Sequence, residues 1–322
     1  MSSSRRPPPT EGMRSGEQVG AAADRTQGRR QRPGPNQRGA RRRTGARARA
    51  QPRKQRRRRS DLGARILIAI PAAVLVIALI DVGHLAWAIF LIVLGAICLH
   101  ELYRMLDAWK PVSLIGFAAL VGMVLAARYG SERVVLEVAV GVIPALFLVL
   151  LARGQRERVT LSVASTLLGV WWIAFAMAHA ELLRRLPHGA AILIDVLAAT
   201  FLADTAAYLG GRLFGRRALA PRISPGKTVE GLFWGTVVAI LTLFCAGLLQ
   251  NTWMTRGHAL ALGVMVAVLG PLGDLFESAL KRDAGTKDTG SFFGAHGGAL
   301  DRADAALFTI LGGYYIWYAV IH

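Results

Sequence analysis

From residue 63 onward the chain is a series of apolar segments, each of a length suited to crossing a lipid bilayer. A hydrocarbon core of about 30 Å requires roughly 20 helical residues. The segments occupy approximately residues 63–82, 84–99, 112–127, 134–152, 160–180, 189–209, 231–250, 257–277 and 303–321. Each is a continuous apolar run, whereas the strands of a membrane β-barrel alternate in polarity. The sequence therefore predicts an all-α polytopic integral membrane protein with about nine transmembrane helices.

The first 60 residues differ sharply in composition from the rest. They contain 19 of the 39 Lys and Arg residues but three of the 20 acidic ones, so they carry a formal charge of +16, against +3 for the remainder. A segment rich in Arg, Pro and Gly buries too little apolar surface to offset its ordering entropy. We therefore expect a disordered basic tail over residues 1–60 and a transmembrane domain over residues 61–322.

Two basic clusters in this tail, 41–43 and 56–59, lie shortly before the first apolar segment. Basic clusters in that position attract anionic lipid and set the orientation of the first span. We expect this role for the tail, and no dedicated nucleic-acid binding. An organellar transit peptide, which is also Arg-rich and poor in acids, is the alternative.

The basic residues beyond the tail indicate an orientation for the spans. If the tail is cytoplasmic and each segment crosses once, alternate loops on the cytoplasmic side hold fourteen Lys and Arg residues and the opposite loops hold five. Cytoplasmic loops carry such an excess of positive charge. The loops 210–230 and 278–302 are therefore predicted to face the cytoplasm, where a soluble phosphorylated substrate would be found.

The segment 278–304 combines four cations, four acids and five glycines within a mostly apolar chain. Charge beside a membrane is costly unless it binds something, so we expect the chemistry here. Asp274, Glu277, Ser278 and Lys281 share one face of the helix that ends the eighth segment, because they are spaced i, i+3, i+4 and i+7.

Asp301 and Asp304 likewise share a face of the last helix, so two helix ends could direct carboxylates at one point. Carboxylates surrounded by Lys and Arg suit a Mg²⁺ ion that carries phosphate oxygens. Two other polar sites have simpler interpretations. Asp204 is either a structural partner of an arginine or a residue that lines the site. The adjacent residues His100 and Glu101 point in different directions on a helix, so we interpret them as an interfacial pair.

Two segments, 204–231 and 274–304, each contain a set of closely spaced residues that matches a known pattern. In the second, the matching positions are Ser278, Leu280, Lys281, Arg282, Lys287, Asp288, Gly290, Phe293, Gly294, His296, Gly297, Gly298, Asp301, Arg302 and Asp304. In the first, they include Asp204, Tyr208, Gly211, Arg212, Gly215, Ser224, Pro225, Lys227, Thr228, Glu230 and Gly231. Together they resemble the signature sequences of the phosphatidate cytidylyltransferase (CDP-diacylglycerol synthase) family. The sequence departs from the family pattern at Gly226, where a second lysine is common, and at Ala299 and Ala303, where larger aliphatic residues are usual. The basic tail lies outside the resemblance.

The resemblance implies a Mg²⁺-dependent transfer of a cytidylyl group from CTP to phosphatidic acid, giving CDP-diacylglycerol and pyrophosphate for phospholipid biosynthesis. The abundance of Ala, Arg and Gly suggests a bacterial genome, and the basic residues indicate that the active-site loops are cytoplasmic, so we expect an enzyme embedded in the lipid bilayer of the bacterial cell membrane. The resemblance also implies a homodimer as a plausible assembly. Asp274 and Asp301 are assigned by it as metal ligands, and these two with Lys281 as catalytic residues. The implied substrate-binding residues are Ser224, Lys227, Thr228, Ser278, Arg282, Lys287, Asp288, His296, Arg302, Asp304 and Asp204. For His296, a structural hydrogen bond and a contact to phosphate or nucleotide remain equally open.

Three other functions are weighed against this one. A transporter also carries charges in membrane helices, but no inverted repeat is found in the sequence and its charges cluster at helix ends. A CTP-dependent lipid or polyprenol kinase would release CDP instead of pyrophosphate. A CDP-alcohol phosphotransferase is disfavoured because its expected D-G-x2-A-R motif is missing from the sequence.

Overall fold

The computed structural model describes residues 61–286, 289–290 and 298–322, with side chains from residue 71 onward. The tail predicted to be disordered and the candidate residues Lys287, Asp288 and His296 lie outside the described residues.

Ten α-helices make up most of the described chain. They are α1 Asp61–Val82, α2 His84–Met105, α3 Ser113–Tyr129, α4 Glu132–Ala152, α5 Val159–Gly169, α6 Phe175–Arg185, α7 Gly189–Phe214, α8 Val229–Leu249, α9 Arg256–Asp283 and α10 Leu300–Ile321. A short 3-10 helix, Asp107–Trp109, follows α2, and a π-helical turn, Val170–Ala174, joins α5 to α6 in one continuous span.

The helices confirm the predicted membrane architecture. Every apolar segment of the sequence coincides with a helix, and the fifth segment coincides with the span Val159–Arg185. Within the described residues, seven helices are long and apolar enough to cross a membrane, while Pro71–Val82 and Ser113–Tyr129 are shorter apolar helices. The chain is therefore an all-α polytopic membrane protein, for which the predicted number of nine spans is approximate.

The spans differ in how far neighbouring helices cover them. The apolar window of Val159–Arg185 is 67% buried, whereas those of α4 and α8 are 28% and 22% buried. Because lipid covers whatever the protein does not, the α5–α6 span is central and α4 and α8 are peripheral. Helices α7, α8, α9 and α10 pack against one another in sequence order, and this four-helix group carries both signature segments.

The π-helical turn lies in the middle of the central span. Four of its five residues are buried, and the exception is Trp171. Trp172 packs edge-on against Phe276 of α9, with the ring centroids 4.9 Å apart. Farther along the same span, His179 and Glu181 have no exposed surface. The turn therefore joins α5 to α6, and it packs against α9 through Trp172.

A two-stranded antiparallel hairpin lies between α7 and α8. The prediction of an all-α chain did not include these strands. Strands β1 (Ala218–Ala220) and β2 (Ser224–Thr228) pair with Ala218 opposite Thr228 and Ala220 opposite Ser224. β1 has only three residues and β2 is polar, so neither gives an alternating hydrophobic pattern, which is the main sequence signal for a strand. Arg282 Nε donates to the Ile223 carbonyl at 3.2 Å, which ties the hairpin to the end of α9.

The opposite end of the bundle is held by arginine bonds to helix ends. Arg184 at the end of α6 donates from Nε to the Ile80 carbonyl at 2.7 Å and from Nη2 to the Asp81 carbonyl at 3.0 Å. These are carbonyls of the last turn of α1, which have no partner within their own helix. On the same side, Tyr314 Oη of α10 donates to Glu132 Oε2 of α4 at 3.0 Å.

Candidate active site

The site begins where α9 and α10 approach each other at Gly273. A Cβ atom on this residue would lie 2.6 Å from the Asp304 carbonyl oxygen and 3.1 Å from Ala305 Cα, so a side chain there would push the helices apart. Small residues allow this kind of close backbone contact between membrane helices. The next residue, Asp274, therefore lies directly beside the first turns of α10.

Three carboxylates converge at this crossing. Asp274 and Glu277 of α9 and Asp304 of α10 each offer a ligand atom, and these atoms lie within 4.8 Å of one another. Glu277 is 1% exposed and Asp304 is 7% exposed, whereas Asp274 is half-buried. Two helix ends thus bring carboxylates to one point, as the spacing of the sequence indicates. We refer to these three residues as the acidic triad.

Lys281 links the two helices beside the acidic triad. Its Nζ lies 2.6 Å from Glu277 Oε2, one turn earlier on α9, and 2.9 Å from Asp301 Oδ1 on α10. The Lys281 side chain is 15% exposed. An ammonium group in this position neutralises part of the charge of both carboxylates and holds α10 against α9.

Asp301 lies next to the acidic triad but has different partners. Its Oδ2 accepts from the Gly298 backbone N–H at 2.7 Å and from the Thr289 backbone N–H at 3.3 Å, while Oδ1 accepts from Lys281. The ligand atoms grouped within 4.8 Å come from Asp274, Glu277 and Asp304. Asp301 is not one of these three residues, and it is connected to Glu277 through Lys281. Its bonds to Thr289 and Gly298 hold the chain on both sides of residues 291–297 against α10.

The hairpin contributes Lys227 to the same place. Lys227 Nζ forms an ion pair with Asp274 Oδ2, and the Lys227 side chain is 24% exposed. Asp204 of α7 interacts electrostatically with Asp274 and Lys227. Asp204 therefore lies near both of these residues.

The remaining described candidate residues have structural bonds or positions on the neighbouring elements. Thr228 is the N-cap of α8, where its Oγ1 accepts from the Gly231 N–H at 3.1 Å, so its hydroxyl oxygen has a structural role. Arg282 is exposed and tethers the hairpin through Ile223. Ser224 begins β2, Ser278 lies on α9 beside Glu277, and Arg302 is exposed in the first turn of α10.

Two acidic residues near the site were not assigned as catalytic, substrate-binding or metal-ligating residues from the sequence. Glu277 lies three residues after Asp274, so both side chains are on the same face of α9. This spacing is the sequence signal that could have identified Glu277 as part of the site. Glu101 was interpreted as interfacial, and this was wrong, because Glu101 is 5% exposed and its Oε2 accepts from the Leu300 N–H of α10 at 2.9 Å. His100 beside it is exposed, as expected for adjacent residues on a helix. No pattern in the sequence indicates that α2 reaches α10.

The chemistry of the donor atoms fits a hard divalent cation such as Mg²⁺. The site brings five carboxylates together with two ammonium groups, from Asp204, Asp274, Glu277, Asp301, Asp304, Lys227 and Lys281. Glu277 Oε1 is buried and has no hydrogen-bond partner among the described residues. Mg²⁺ prefers oxygen ligands and is commonly held by one or two carboxylates together with substrate phosphates. An added cation would satisfy the unpartnered oxygen and offset the excess of negative charge.

Comparison with known proteins gives the relationship of the whole chain. Residues 63–320 match the profile of the "Cytidylyltransferase family". The phosphatidate cytidylyltransferase of Bacillus subtilis is 32% identical over 261 residues, which covers 78% of this chain and 95% of that protein. The phosphatidate cytidylyltransferase of Staphylococcus aureus (strain COL) is 31% identical over 254 residues, covering 76% of this chain and 95% of that protein.

A third relative, the uncharacterized protein YnbB of Escherichia coli, is 41% identical over 145 residues. That match covers 43% of this chain and 48% of that protein, so the chain spans about half the length of this relative. The family profile extends over the spans that carry both signature segments. The chain therefore belongs to the cytidylyltransferase family, whose relatives here include bacterial phosphatidate cytidylyltransferases.

Proposed function

We propose that this enzyme transfers the cytidylyl group of CTP to phosphatidic acid, giving CDP-diacylglycerol and pyrophosphate. The observation that carries the proposal is the acidic triad at the crossing of α9 and α10, with Lys227 and Lys281 in ion pairs beside it. Carboxylates and ammonium groups at the end of a helix bundle suit a reaction between a lipid headgroup and a triphosphate. The names of the relatives that match most of the chain agree with that reaction.

The reaction makes a particular demand on the protein. The attacking group is a phosphate monoester, whose second pKa is about 6, so it is mostly dianionic near neutral pH. A protein general base is therefore not required. The difficulty is to bring this anion to the α-phosphate of CTP, which is itself surrounded by negative charge. Fixed positive charges and accurate positioning are the means by which a protein lowers such a barrier.

The two lysines have different roles in this proposal. Lys227 comes from a hairpin outside the helix bundle and lies at the carboxylate of Asp274, so it can exchange that partner for a phosphate oxygen. Lys281 is held between Glu277 and Asp301 and is more buried. We assign Lys227 to phosphate binding. We assign Lys281 to the positioning of the two helices, with its positive charge facing the reacting phosphates.

The acidic residues would hold Mg²⁺. The assignment drawn from the family resemblance is Asp274 and Asp301, and the acidic triad adds Glu277 and Asp304 as oxygen donors. When bound, Mg²⁺ offsets the charge of the triphosphate and of the departing pyrophosphate. Because Asp301 is engaged with Lys281 and two backbone N–H groups, we propose that it orients the first turn of α10 in addition to any contact with the ion.

The other candidate residues complete the proposed substrate site. Asp204 lies beside Asp274 and Lys227, and Arg282 ties the hairpin to α9. We retain as substrate-binding residues Ser224, Lys227, Thr228, Ser278, Arg282, Lys287, Asp288, His296, Arg302, Asp304 and Asp204. For Thr228 the proposed contact would come in addition to its capping role.

The distribution of basic residues supports a cytoplasmic position for this site. Loops 210–230 and 278–302 and the Arg-rich tail would face the side on which CTP is present, in a bacterial cell membrane. Two further elements belong to the proposal: a transmembrane catalytic domain that starts near residue 61, and a homodimer in the membrane. Chemical cross-linking of the protein in membranes, followed by separation of monomer and dimer, tests the assembly.

The decisive experiment identifies the phosphorus-containing product. Purified protein in detergent is incubated with phosphatidic acid, Mg²⁺ and CTP labelled at the α-phosphate or, separately, at the γ-phosphate. We expect the α-label to enter the lipid and the γ-label to leave as pyrophosphate. Transfer of the γ-label to lipid with release of CDP would instead identify a lipid kinase. Uptake driven by an ion gradient without any turnover of nucleotide would identify a transporter.

A further inference from the structure

We propose that Glu101 on α2 is a positioning residue of this enzyme, which caps α10 from another helix and thereby fixes the place of Asp301 and Asp304. The proposal rests on the proposed function for its catalytic consequence. Its structural part can be tested without any substrate.

Glu101 supplies a cap that α10 lacks in its own sequence. The residue before α10 is Ala299, whose side chain makes no capping hydrogen bond. The first N–H groups of a helix have no partner within it and need an acceptor. Glu101 Oε2 provides one, because it accepts from the Leu300 N–H at 2.9 Å. A carboxylate at this end of a helix is also favoured by the helix dipole.

The same carboxylate contacts the chain on both sides of the signature loop. Thr289 Oγ1 donates to Glu101 Oε2 at 3.5 Å, and Thr289 N in turn donates to Asp301. Through this connection Glu101, Thr289, Asp301 and Lys281 form a continuous series of polar contacts from α2 to α9. The series ends at the acidic triad, since Lys281 is paired with Glu277.

Two glycines of the signature give this carboxylate its space. A Cβ on Gly290 would lie 2.5 Å from Glu101 Oε1, and a Cβ on Gly298 would lie 2.4 Å from Glu101 Oε2. Neither glycine has a positive φ, so the reason for glycine here is close approach and not backbone conformation. Within the described residues, Glu101 Oε1 is buried and has no hydrogen-bond partner. A buried carboxylate with incomplete bonding is costly, which argues for a function beyond packing.

The first test replaces Glu101 by glutamine, which keeps the shape and removes the charge. The loss of a charge-assisted hydrogen bond corresponds to a fall in kcat of about 10- to 100-fold, with the KM for CTP nearly unchanged. The second readout is hydrogen exchange without substrate: amides of residues 298–304 should exchange faster in Glu101→Gln while the rest of α10 is unaffected. Wild-type kcat per folded molecule together with unchanged exchange would overturn the proposal.

Glu132→Gln is the matched control. Glu132 also accepts a hydrogen bond from α10, but from Tyr314 at the opposite end of that helix. We expect Glu132→Gln to lower thermal stability and to leave kcat and the exchange of residues 298–304 at wild-type values. An equal fall in kcat for both variants would show that any bond to α10 has the same effect, and the special role of Glu101 would be refuted.

The variant Gly290→Ala tests the geometry even if Glu101→Gln fails to fold. The added methyl group would displace the Glu101 carboxylate, so exchange at residues 298–304 should rise and kcat should fall. In a Glu101→Ala background the same methyl group has nothing to displace, so the two losses should not add. Additive losses would contradict the proposal. If the wild-type enzyme shows no cytidylyl transfer at all, the proposed function fails while the exchange results still decide the capping role.

Discussion

Lys281 Nζ lies 2.9 Å from Asp301 Oδ1, and this contact joins the end of α9 to the start of α10. The same nitrogen is 2.6 Å from Glu277 Oε2, so one ammonium group bridges two carboxylates whose side chains are 1% and 15% exposed. The position of α10, and with it that of Asp304, depends on a charge that belongs to α9.

Replacing Lys281 with methionine should therefore damage both stability and turnover. Removal of one partner of a buried ion pair costs about 3–5 kcal/mol, because the other charge is left uncompensated. We expect kcat to fall by at least about 100-fold and thermal unfolding in detergent to occur at a lower temperature. The double variant Lys281→Met/Glu277→Gln should regain part of the stability, since one of the uncompensated carboxylates has been removed.

Arg133→Met is the control for this substitution. Arg133 and Glu137 also form a helical ion pair four residues apart, but their side chains are 87% and 61% exposed. Exposed pairs contribute at most about 1 kcal/mol. A similar loss in both variants would mean that Lys281 acts as an ordinary surface charge.

Replacing Asp274 with asparagine should abolish turnover while the protein remains folded in the membrane, and Asp301→Asn should do the same. The first change removes the charge of one carboxylate in the acidic triad, and the second weakens the acceptor that Lys281 and Gly298 share. The measurement is pyrophosphate release at saturating Mg²⁺. Asp195→Asn is the control, because Asp195 lies near the other end of α7 and bonds to Gln250. Retention of most activity by Asp274→Asn would refute the metal assignment.

Chelation of divalent ions should stop the reaction reversibly. Since the acidic triad contains oxygen donors alone, we expect activity to disappear with EDTA and to return on addition of Mg²⁺. The triad carries like charges within 4.8 Å of one another, so the ion should also raise the temperature of unfolding by binding to the folded state. An apoprotein with full activity would exclude a metal-dependent mechanism.

Replacing Arg184 with alanine should affect stability alone. Arg184 bonds to the carbonyls of Ile80 and Asp81 at the end of the bundle away from the acidic triad. Hydrogen bonds from a charged donor contribute about 1.5–3 kcal/mol each, so the temperature of unfolding should fall by several degrees. The kcat of the folded protein should stay at the wild-type value. A lower kcat at full folding would show that the two ends of the bundle are coupled.

Deletion of residues 1–55 should leave the specific activity in detergent nearly unchanged. The family profile begins at residue 63, and the described side chains around the site all lie far downstream of the deletion. If the tail orients the protein, the deletion should instead change the fraction of molecules inserted in the correct direction, measured by protease protection in vesicles. A loss of activity with normal folding would show that the tail takes part in the reaction.

The membrane architecture was predictable because each span is a long apolar segment, and length with hydropathy is the strongest signal that a sequence carries. The acidic triad was partly predictable. The spacing of Asp274 and Glu277 placed them on one face of a helix, and the family resemblance indicated the carboxylates of the last helix. The meeting of α9 and α10 follows from Gly273, whose importance depends on a contact to Asp304 that the sequence alone does not show.

Contacts between distant segments could not be predicted. Glu101 lies 199 residues from Leu300 in the sequence, and its burial depends on how α2 packs against α10. Thr228 was expected to bind substrate, and its bond to Gly231 depends on where α8 begins. The hairpin was missed because β1 has only three residues and β2 is polar. In each case the deciding quantity is a tertiary contact and not a local preference of the chain.

The π-helical turn at Val170–Ala174 has a consequence for how the central span can vary. Each residue in a helix turns the chain by about 100°, so a deletion within this turn would rotate every later residue of α6 by that angle. His179 and Glu181, which have no exposed surface, would then be turned toward new neighbours or toward lipid. The number of residues between the two ends of this span is therefore constrained by the packing of its second half.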